Sequence, residues 1–174
     1  MALVRIEARV TARRDEFESF FLANYDSVLR LLIVMTGSHE QATDATQEAF
    51  IRAHARWSRV RNYDSPGAWV RRIAINKSRD TFRADRRRRS RELAHPTREQ
   101  APSTESVDSL TIAQQMLAPL PPRQREVATL FYIDDRSVGE IAHILGLNDG
   151  TVKSHLSEAR ASLRTAVDRD SVDT

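Results

Sequence analysis

Residue types suited to nucleic-acid contact recur at helical spacing between positions 69 and 83. The steps are three, four, three and four, so one helical stripe carries Trp69, Arg72, Asn76, Arg79 and Arg83. An indole can stack on or wedge against a base, an amide can read an exposed base edge, and guanidinium groups can hold phosphates. The stripe therefore predicts a surface for single-stranded or opening DNA. A half-buried tryptophan in a basic helix would produce the same pattern.

A second nucleic-acid candidate spans residues 137–164, where the sequence predicts two short helices joined by a tight turn. Gly146 suits a left-handed C-cap, and Asn148 suits the N-cap of the second helix. The apolar residues of that helix recur at steps of four, three and four, at Val152, Leu156, Ala159 and Leu163. Its outward face suits a major groove and comprises Lys153, Ser154, Ser157 and Glu158. We interpret the segment as a helix-turn-helix; an ordinary helical hairpin with glycine in its turn is the alternative.

Residue types that could support catalysis or metal binding do not converge on a site. The chain has no cysteine, and its five histidines lack the spacing of metal ligands. Asp44 and Glu48 lie one helical turn apart, but no nucleophile or phosphate-binding loop accompanies them. We therefore expect no catalytic residue, metal, cofactor or small-molecule substrate, and a surface ion pair between Glu48 and Arg52. A metal-dependent nuclease that uses the two acids is a rival interpretation.

The helix that carries these acids also predicts a protein-binding face. Its inward positions are Ala42, Thr46, Ala49, Ala53 and Trp57. The outward face resembles the apolar centre and polar rim of an interface, and comprises Asp44, Gln47, Glu48, Ile51 and Arg52. A single exposed isoleucine, which is common on protein surfaces, is the simpler alternative.

The net charge of +3 conceals a strong asymmetry along the chain. Residues 52–91 contain 14 Arg or Lys and 3 acidic residues, which leaves 13 basic and 21 acidic residues elsewhere, a net charge of −8. A block this basic would bind a polyanion with release of counterions, so it favours a nucleic-acid partner. A solvated arginine-rich helix face is the alternative.

Helices must position these surfaces, because the long segments have a helical period and the chain has only five glycines. We expect helices near residues 15–36, 40–60, 66–89, 109–118, 122–133, 137–145 and 149–168. Residues 92–108 hold prolines, Ser, Thr and acids with almost no large apolar side chain, which predicts a flexible linker. The expected fold is all-α, with two small helical domains and the helix-turn-helix in the C-terminal one. Their predicted bounds are 15–91 and 109–168, with a tail or frayed helix at 1–14 and a tail at 169–174.

The longest apolar run, residues 31–35, is too short to span a bilayer, and the N-terminus lacks the apolar block of a signal peptide. We therefore expect a cytoplasmic protein that does not insert into a membrane.

Three segments, taken in order, resemble a sigma factor of bacterial RNA polymerase of the small two-domain extracytoplasmic function (ECF) type. They are DATQEAFIRAHARW, SPGAWVRRIAINKSRDTFR and LPPRQREVATLFYIDDRSVGEIAHILGLNDGTVKSHLSEARASLR, and the resemblance covers residues 16–166. It implies a factor without an active site that binds core polymerase through the β′ and β subunits, recognises the -10 and -35 elements of promoter DNA and assists melting. It also implies an anti-sigma protein as a candidate partner. The main alternative is a helix-turn-helix regulator that binds duplex DNA without polymerase.

The resemblance assigns a role to each candidate surface. The face that binds the β′ clamp helices comprises Asp44, Gln47, Glu48, Ile51 and Arg52. The -10 contact comprises the loop residues Arg61, Asn62, Tyr63 and Asp64 with Trp69, Arg72, Asn76, Arg79 and Arg83. The -35 contact comprises Thr151, Lys153, Ser154, His155, Ser157 and Glu158.

Some positions depart from the family pattern. Ala45 and Thr46 stand where bulkier aliphatic residues are usual, which is expected to thin the core. His155 replaces a common arginine, and Glu158 stands where arginine is frequent. A carboxylate cannot bond guanine O6 or N7 but can accept from cytosine N4, so we expect an unusual -35 preference.

Overall fold

The computed structural model describes the backbone of residues 2–92 and 109–170, and the side chains of residues 13–88 and 109–165. This part of the chain forms α-helices and no strand, as the sequence predicts. The helices are α1 Ala2–Thr36, α2 His39–Ala55, α3 Trp57–Val60, α4 Pro66–Glu92, α5 Ser109–Leu117, α6 Pro122–Tyr132, α7 Val138–Leu145 and α8 Asp149–Asp170. We refer to residues 2–92 as the N-terminal half and to residues 109–170 as the C-terminal half.

Two helix predictions need correction. Helix α1 begins at Ala2 and not near residue 15, so the predicted tail is helical from its second residue. The helix predicted at 40–60 is two helices, because Arg56 leaves the helical region with φ −117° and ψ 18°. No glycine or proline marks this break in the sequence. Of the predicted linker, Glu92 ends α4 and residues 93–108 lie outside the described residues, as do residues 171–174.

The first hydrophobic cluster of the core is shared by both halves. It joins Leu31 and Leu32 of α1 and Ile75 of α4 to Leu130 of α6 and Ile141 of α7, all at most 1% exposed. A second cluster joins Val34 of α1 to the other half through Leu117, Leu120, Ala128 and Ala159. The sequence predicted two small helical domains joined by a linker, without indicating contact between them. The halves instead bury apolar surface against each other, which stabilises their contact.

Small residues line the buried face of α2. Ala42, Ala45, Thr46, Ala49 and Ala53 are each at most 1% exposed, and the inward positions predicted for this helix are all buried. Thr46 donates its Oγ1 hydroxyl to the Ala42 carbonyl at 2.7 Å, which satisfies its buried polar group. Aromatic rings from α1 pack beside this face, where the rings of Phe20, Phe21 and Tyr25 contact Phe50. These rings belong to the same apolar cluster as Ala45.

One segment of α1, Arg13–Thr36, is long and apolar enough to cross a membrane by length and composition. The longest uninterrupted apolar run is still residues 31–35, so the expectation that the protein does not insert into a membrane stays a prediction. In this fold Val28, Leu31 and Leu32 of the segment are fully buried, whereas Leu22 is 70% exposed. A core helix can meet the same criteria, so length and composition alone do not indicate a membrane span.

Candidate nucleic-acid interface

Helices α7 and α8 form the predicted helix-turn-helix. Ser137 caps α7 with a reciprocal capping box, because its hydroxyl accepts from the Glu140 N–H and its own N–H donates to the Glu140 carboxylate. Gly146 ends α7 in the left-handed region at φ 67°, where a side chain would be strained. The Leu147 N–H then reaches back to the Ala142 carbonyl at 2.9 Å. The predicted C-cap is confirmed, and it sets the angle at which α8 leaves the turn.

Helix α8 presents a polar outward face near its start. The Asn148 side chain accepts from the Thr151 N–H at 2.8 Å, which confirms the predicted N-cap. Val152, Leu156 and Ala159 are buried, so α8 is fixed on its apolar side. The exposed residues are Lys153, Ser154, Ser157 and Glu158, while Thr151 and His155 are half-buried. This geometry suits insertion into a major groove.

The carboxylate of Glu158 is bonded to a residue that sequence reasoning missed. Gln124, in the first turn of α6, donates its Nε2 amide to Oε2 of Glu158 at 2.9 Å. Ser154 donates its hydroxyl to Oε1 at 3.2 Å, and Nδ1 of His155 lies 3.6 Å from Oε2. Position 124 lies outside the helix-turn-helix, so helical periodicity could not have linked it to α8.

A cavity of about 350 Å³ lies beside the start of α4. Its volume is large enough for a nucleobase. Tyr63 and Trp69 form aromatic walls, and their ring centroids are 6.3 Å apart. Its lining comprises Asn62, Tyr63, Asp64, Ser65, Trp69, Arg72 and His143. The structure thus brings together the predicted loop and the start of the stripe. His143, from α7, was not predicted here.

The C-terminal half engages part of the predicted stripe on α4. Arg72 donates Nε to the Ile144 carbonyl at 3.1 Å and Nη2 to the His143 carbonyl, at the end of α7. Arg79 pairs with Glu126 of α6 through two nitrogen–oxygen contacts of 2.6 Å each. Asn76 is exposed and accepts from Arg79 Nη1 at 3.0 Å. The stripe is therefore a contact between the halves as well as a candidate DNA surface.

Arg83 completes the stripe and stays at the surface, 3.8 Å from the Asp80 carboxylate. Around the predicted loop, Arg61 pairs with Glu16 of α1 at 2.8 Å, and Arg61, Asn62, Tyr63 and Asp64 are all exposed.

Arg71, which the sequence did not single out, forms the most buried ion pair of the described residues. Its guanidinium contacts both oxygens of Asp134 at 2.6 and 2.9 Å, and the two side chains are 3% and 2% exposed. Ser27 and Asn24 of α1 accept further bonds from it at 2.9 and 3.3 Å. A buried charge is stable only when it is paired and hydrogen-bonded, as the guanidinium of Arg71 is here. Through these bonds Arg71 joins α4 to α1 and to the loop before α7.

The predicted protein-binding face of α2 lies at the surface. Ile51 is 64% exposed, and Glu48 and Arg52 form the predicted ion pair at 2.7 Å. Asp44 and Gln47 are exposed on the same helix. Within the described residues, no group of three or more His, Asp or Glu side chains is arranged to hold a metal ion.

Comparison with protein families matches both halves of the chain. The family described as "Sigma-70 region 2" matches residues 20–88, and "Sigma-70, region 4" matches residues 110–163. The chain is 31% identical over 164 residues to the RNA polymerase sigma-E factor of Streptomyces avermitilis, covering 91% of this chain and 88% of that protein. It is 30% identical over 164 residues to the ECF RNA polymerase sigma factor SigM of Mycobacterium tuberculosis, covering 91% and 80%. This chain belongs to the ECF family of RNA polymerase sigma factors. The ECF sigma factor accordingly directs RNA polymerase to promoters in transcription initiation.

Solved structures share the fold of this ECF sigma factor. The sigma factor RpoE from Bartonella quintana, in complex with the anti-sigma factor NepR, aligns with a TM-score of 0.75 at 23% identity, covering 88% of this chain and 97% of that chain. CnrH, in complex with the cytosolic domain of CnrY, aligns with a TM-score of 0.66 at 24% identity, covering 90% of each chain. In the sigma factor described here, the region 2 match begins within α1 and ends within α4, and the region 4 match covers most of α5 to α8.

Proposed function

We propose that this sigma factor recognises promoters through two surfaces, one on each half of the chain. The reading face of α8 is the exposed surface formed by Lys153, Ser154, Ser157 and Glu158, and it contacts the -35 element. The cavity beside α4 receives a base from the opened -10 element. The proposed units are residues 15–91 and 109–168. The observation that carries the proposal is the pairing of an exposed recognition helix with an aromatic-walled cavity that joins the predicted loop and stripe.

The cavity suits an unstacked base. Trp69 and Tyr63 offer ring faces for stacking, and Asn62 and Asp64 offer hydrogen-bonding groups at the same opening. Extruding a base costs stacking energy, and these contacts offset that cost. The arginines of α4 then hold the backbone phosphates of the opened strand.

Promoter melting requires the two halves to separate at α4. Arg72 is bonded to carbonyls of α7 and Arg79 to Glu126 of α6, so neither guanidinium is available to a phosphate in this arrangement. The reading face of α8 is exposed at the same time. While the two halves are in contact, the protein can therefore make the -35 contact. Separation of the halves on core polymerase and DNA then frees α4 for the -10 contact.

Core polymerase binds the α2 face through its β′ subunit, with Ile51 as the apolar centre and Asp44, Gln47, Glu48 and Arg52 as its rim. The 64% exposure of Ile51 supports this contact, because burying it would remove apolar area from water. The β subunit is the second polymerase contact, as in the family.

The sigma factor acts in the cytoplasm without an active site of its own, and phosphodiester chemistry belongs to the core enzyme. An anti-sigma protein is a proposed partner, because the two solved relatives were determined with such a protein or a cytosolic domain bound.

Reconstitution tests the function. Purified sigma factor is added to core RNA polymerase, and transcription is scored on a genomic template library with core polymerase alone as the baseline. We expect initiation at a discrete class of promoters. Initiation no different from the baseline, together with tight binding of a palindromic duplex by the free protein, would support a stand-alone regulator instead.

A further inference from the structure

On the reading face of α8, the carboxylate of Glu158 accepts a hydrogen bond from a side chain of another helix. Gln124 of α6 bonds Oε2, and Ser154 of α8 bonds Oε1, at 2.9 and 3.2 Å. Both oxygens therefore have a protein donor before any DNA is present.

The carboxylate keeps capacity for a base. Each carboxylate oxygen has two lone-pair sites, and each oxygen of Glu158 uses one in these bonds. The Glu158 side chain is 51% exposed, so a base edge can reach the remaining sites. Because an ionised carboxylate only accepts, its base partner must be a donor. The major groove offers two base donors, cytosine N4 and adenine N6, and the usual pairing of Glu is with cytosine N4.

The Gln124 amide is held in one orientation. Exchanging its nitrogen and oxygen would place Oε1 against the Glu158 carboxylate, so the orientation with Nε2 donating is the favourable one. Oε1 of Gln124 is itself buried and has no hydrogen-bond partner among the described residues, so it points away from solvent. Helix α6 is fixed against α8 by the buried pair Ala128 and Ala159, which belong to one apolar cluster.

We propose that Gln124 is a specificity-determining positioning residue, which holds the Glu158 carboxylate in one rotamer for reading a cytosine amino group in the -35 element. This inference rests on the proposed function of α8. A free glutamate samples several rotamers, and the apparent affinity falls with the fraction that can bind. Gln124 raises that fraction without contacting the base.

The test uses the full chain assembled with core polymerase and a library of duplex promoters randomised across the -35 element. Gln124→Leu keeps the side-chain size and removes the donor, and Gln115→Leu places the same change at an exposed site on α5. We expect Gln124→Leu to lower the preference for cytosine at one base pair by about three- to tenfold. The preference at other base pairs should stay unchanged, and Gln115→Leu should match the wild type.

A double mutant separates positioning from a general effect on α6. In a Glu158→Ala background, Gln124→Leu should cause no further change in the sequence profile, because the carboxylate that it positions is absent. Ser154→Ala, which removes the bond to Oε1, should shift the same base pair in the same direction. Circular dichroism and urea unfolding of each variant check that the fold is kept.

An unchanged profile for Gln124→Leu, or an equal further change in the Glu158→Ala background, would overturn the inference. A sharper cytosine preference in Gln124→Leu would also overturn it, since Gln124 would then draw the carboxylate away from DNA. In each of these outcomes wild-type holoenzyme still initiates at promoters, whereas failure of the wild type to initiate would count against the proposed function itself.

Discussion

The guanidinium of Arg79 and the carboxylate of Glu126 form a two-contact ion pair, with both nitrogen–oxygen distances at 2.6 Å, across 47 positions of sequence. Arg79 belongs to the stripe proposed to hold -10 DNA, and Glu126 belongs to α6 of the other half. Arg123 also reaches the Glu126 carboxylate, at 3.2 Å. In the proposed -10 contact, a DNA phosphate would take the place of the Glu126 carboxylate, so DNA would have to displace Glu126 from Arg79.

We predict that Glu126→Gln strengthens -10 binding. The substitution keeps the shape of the side chain but removes the charge, so Arg79 is released more easily. Affinity of the holoenzyme for a fluorescent single-stranded -10 oligonucleotide should rise by about three- to tenfold, as measured by anisotropy. Glu18→Gln, which removes one charge from an exposed site on α1, is the control. Equal effects of the two variants would mean that net charge alone is responsible.

Asp134→Asn should destabilise the folded protein. Removing the carboxylate leaves the guanidinium of Arg71 buried without its counter-ion, which typically costs about 3–5 kcal/mol. The free energy of unfolding in urea measures this cost, and Asp26→Asn, at an exposed site on α1, is the control. A loss below about 1 kcal/mol would contradict the prediction and show that Arg71 reaches water in the variant.

Asn76→Ala should impair promoter opening more than assembly with core polymerase. The Asn76 side chain is exposed on the stripe, and its described bond is to Arg79, so its removal leaves the core intact. Reactivity of unpaired thymines in the -10 region measures opening, and gel filtration with core polymerase measures assembly. Equal losses in the two measurements would assign Asn76 a structural role.

Glu158→Arg should change the preferred -35 sequence at one base pair. A guanidinium donates to guanine O6 and N7, whereas the carboxylate accepts from cytosine N4, and the discrimination is about 1–3 kcal/mol. Selection from randomised duplexes with the holoenzyme measures it. If the sequence profile of the variant is identical to that of the wild type, Glu158 does not contact a base in the -35 element.

The capping box predicts a pH dependence of stability. Hydrogen bonds from the Ser137 backbone N–H and hydroxyl lower the pKa of Glu140 below its ordinary value of 4.5. Because the folded pKa is lowered, the stabilisation is complete above the unfolded pKa and is lost as the pH falls through the folded pKa. In urea unfolding, Glu140→Gln should be less stable than the wild type at neutral pH, and the difference should shrink in acid. A difference that stays constant with pH would contradict this prediction.

Local patterns in the sequence predicted a large part of this protein. The all-α fold, the helix-turn-helix, the Gly146 and Asn148 caps and the buried face of α2 all follow from spacing over a few residues. Such features depend on helical period and backbone conformation, which act between near neighbours. The break at Arg56 was missed because no glycine or proline signals it.

Contacts between distant positions could not be read in the same way. Neighbouring arginines on α4 have the same chemistry, yet Arg71 is buried on Asp134 while Arg72 contacts the end of α7. Likewise, the sequence indicated Glu158 as a reader of DNA but not Gln124 as its partner. Periodicity assigns a residue to a face of its own helix, but the residue that meets it is set by how the helices pack. That packing buries apolar surface from both halves in one core, and it places Arg72 and Arg79 of the predicted DNA-binding stripe against the C-terminal half.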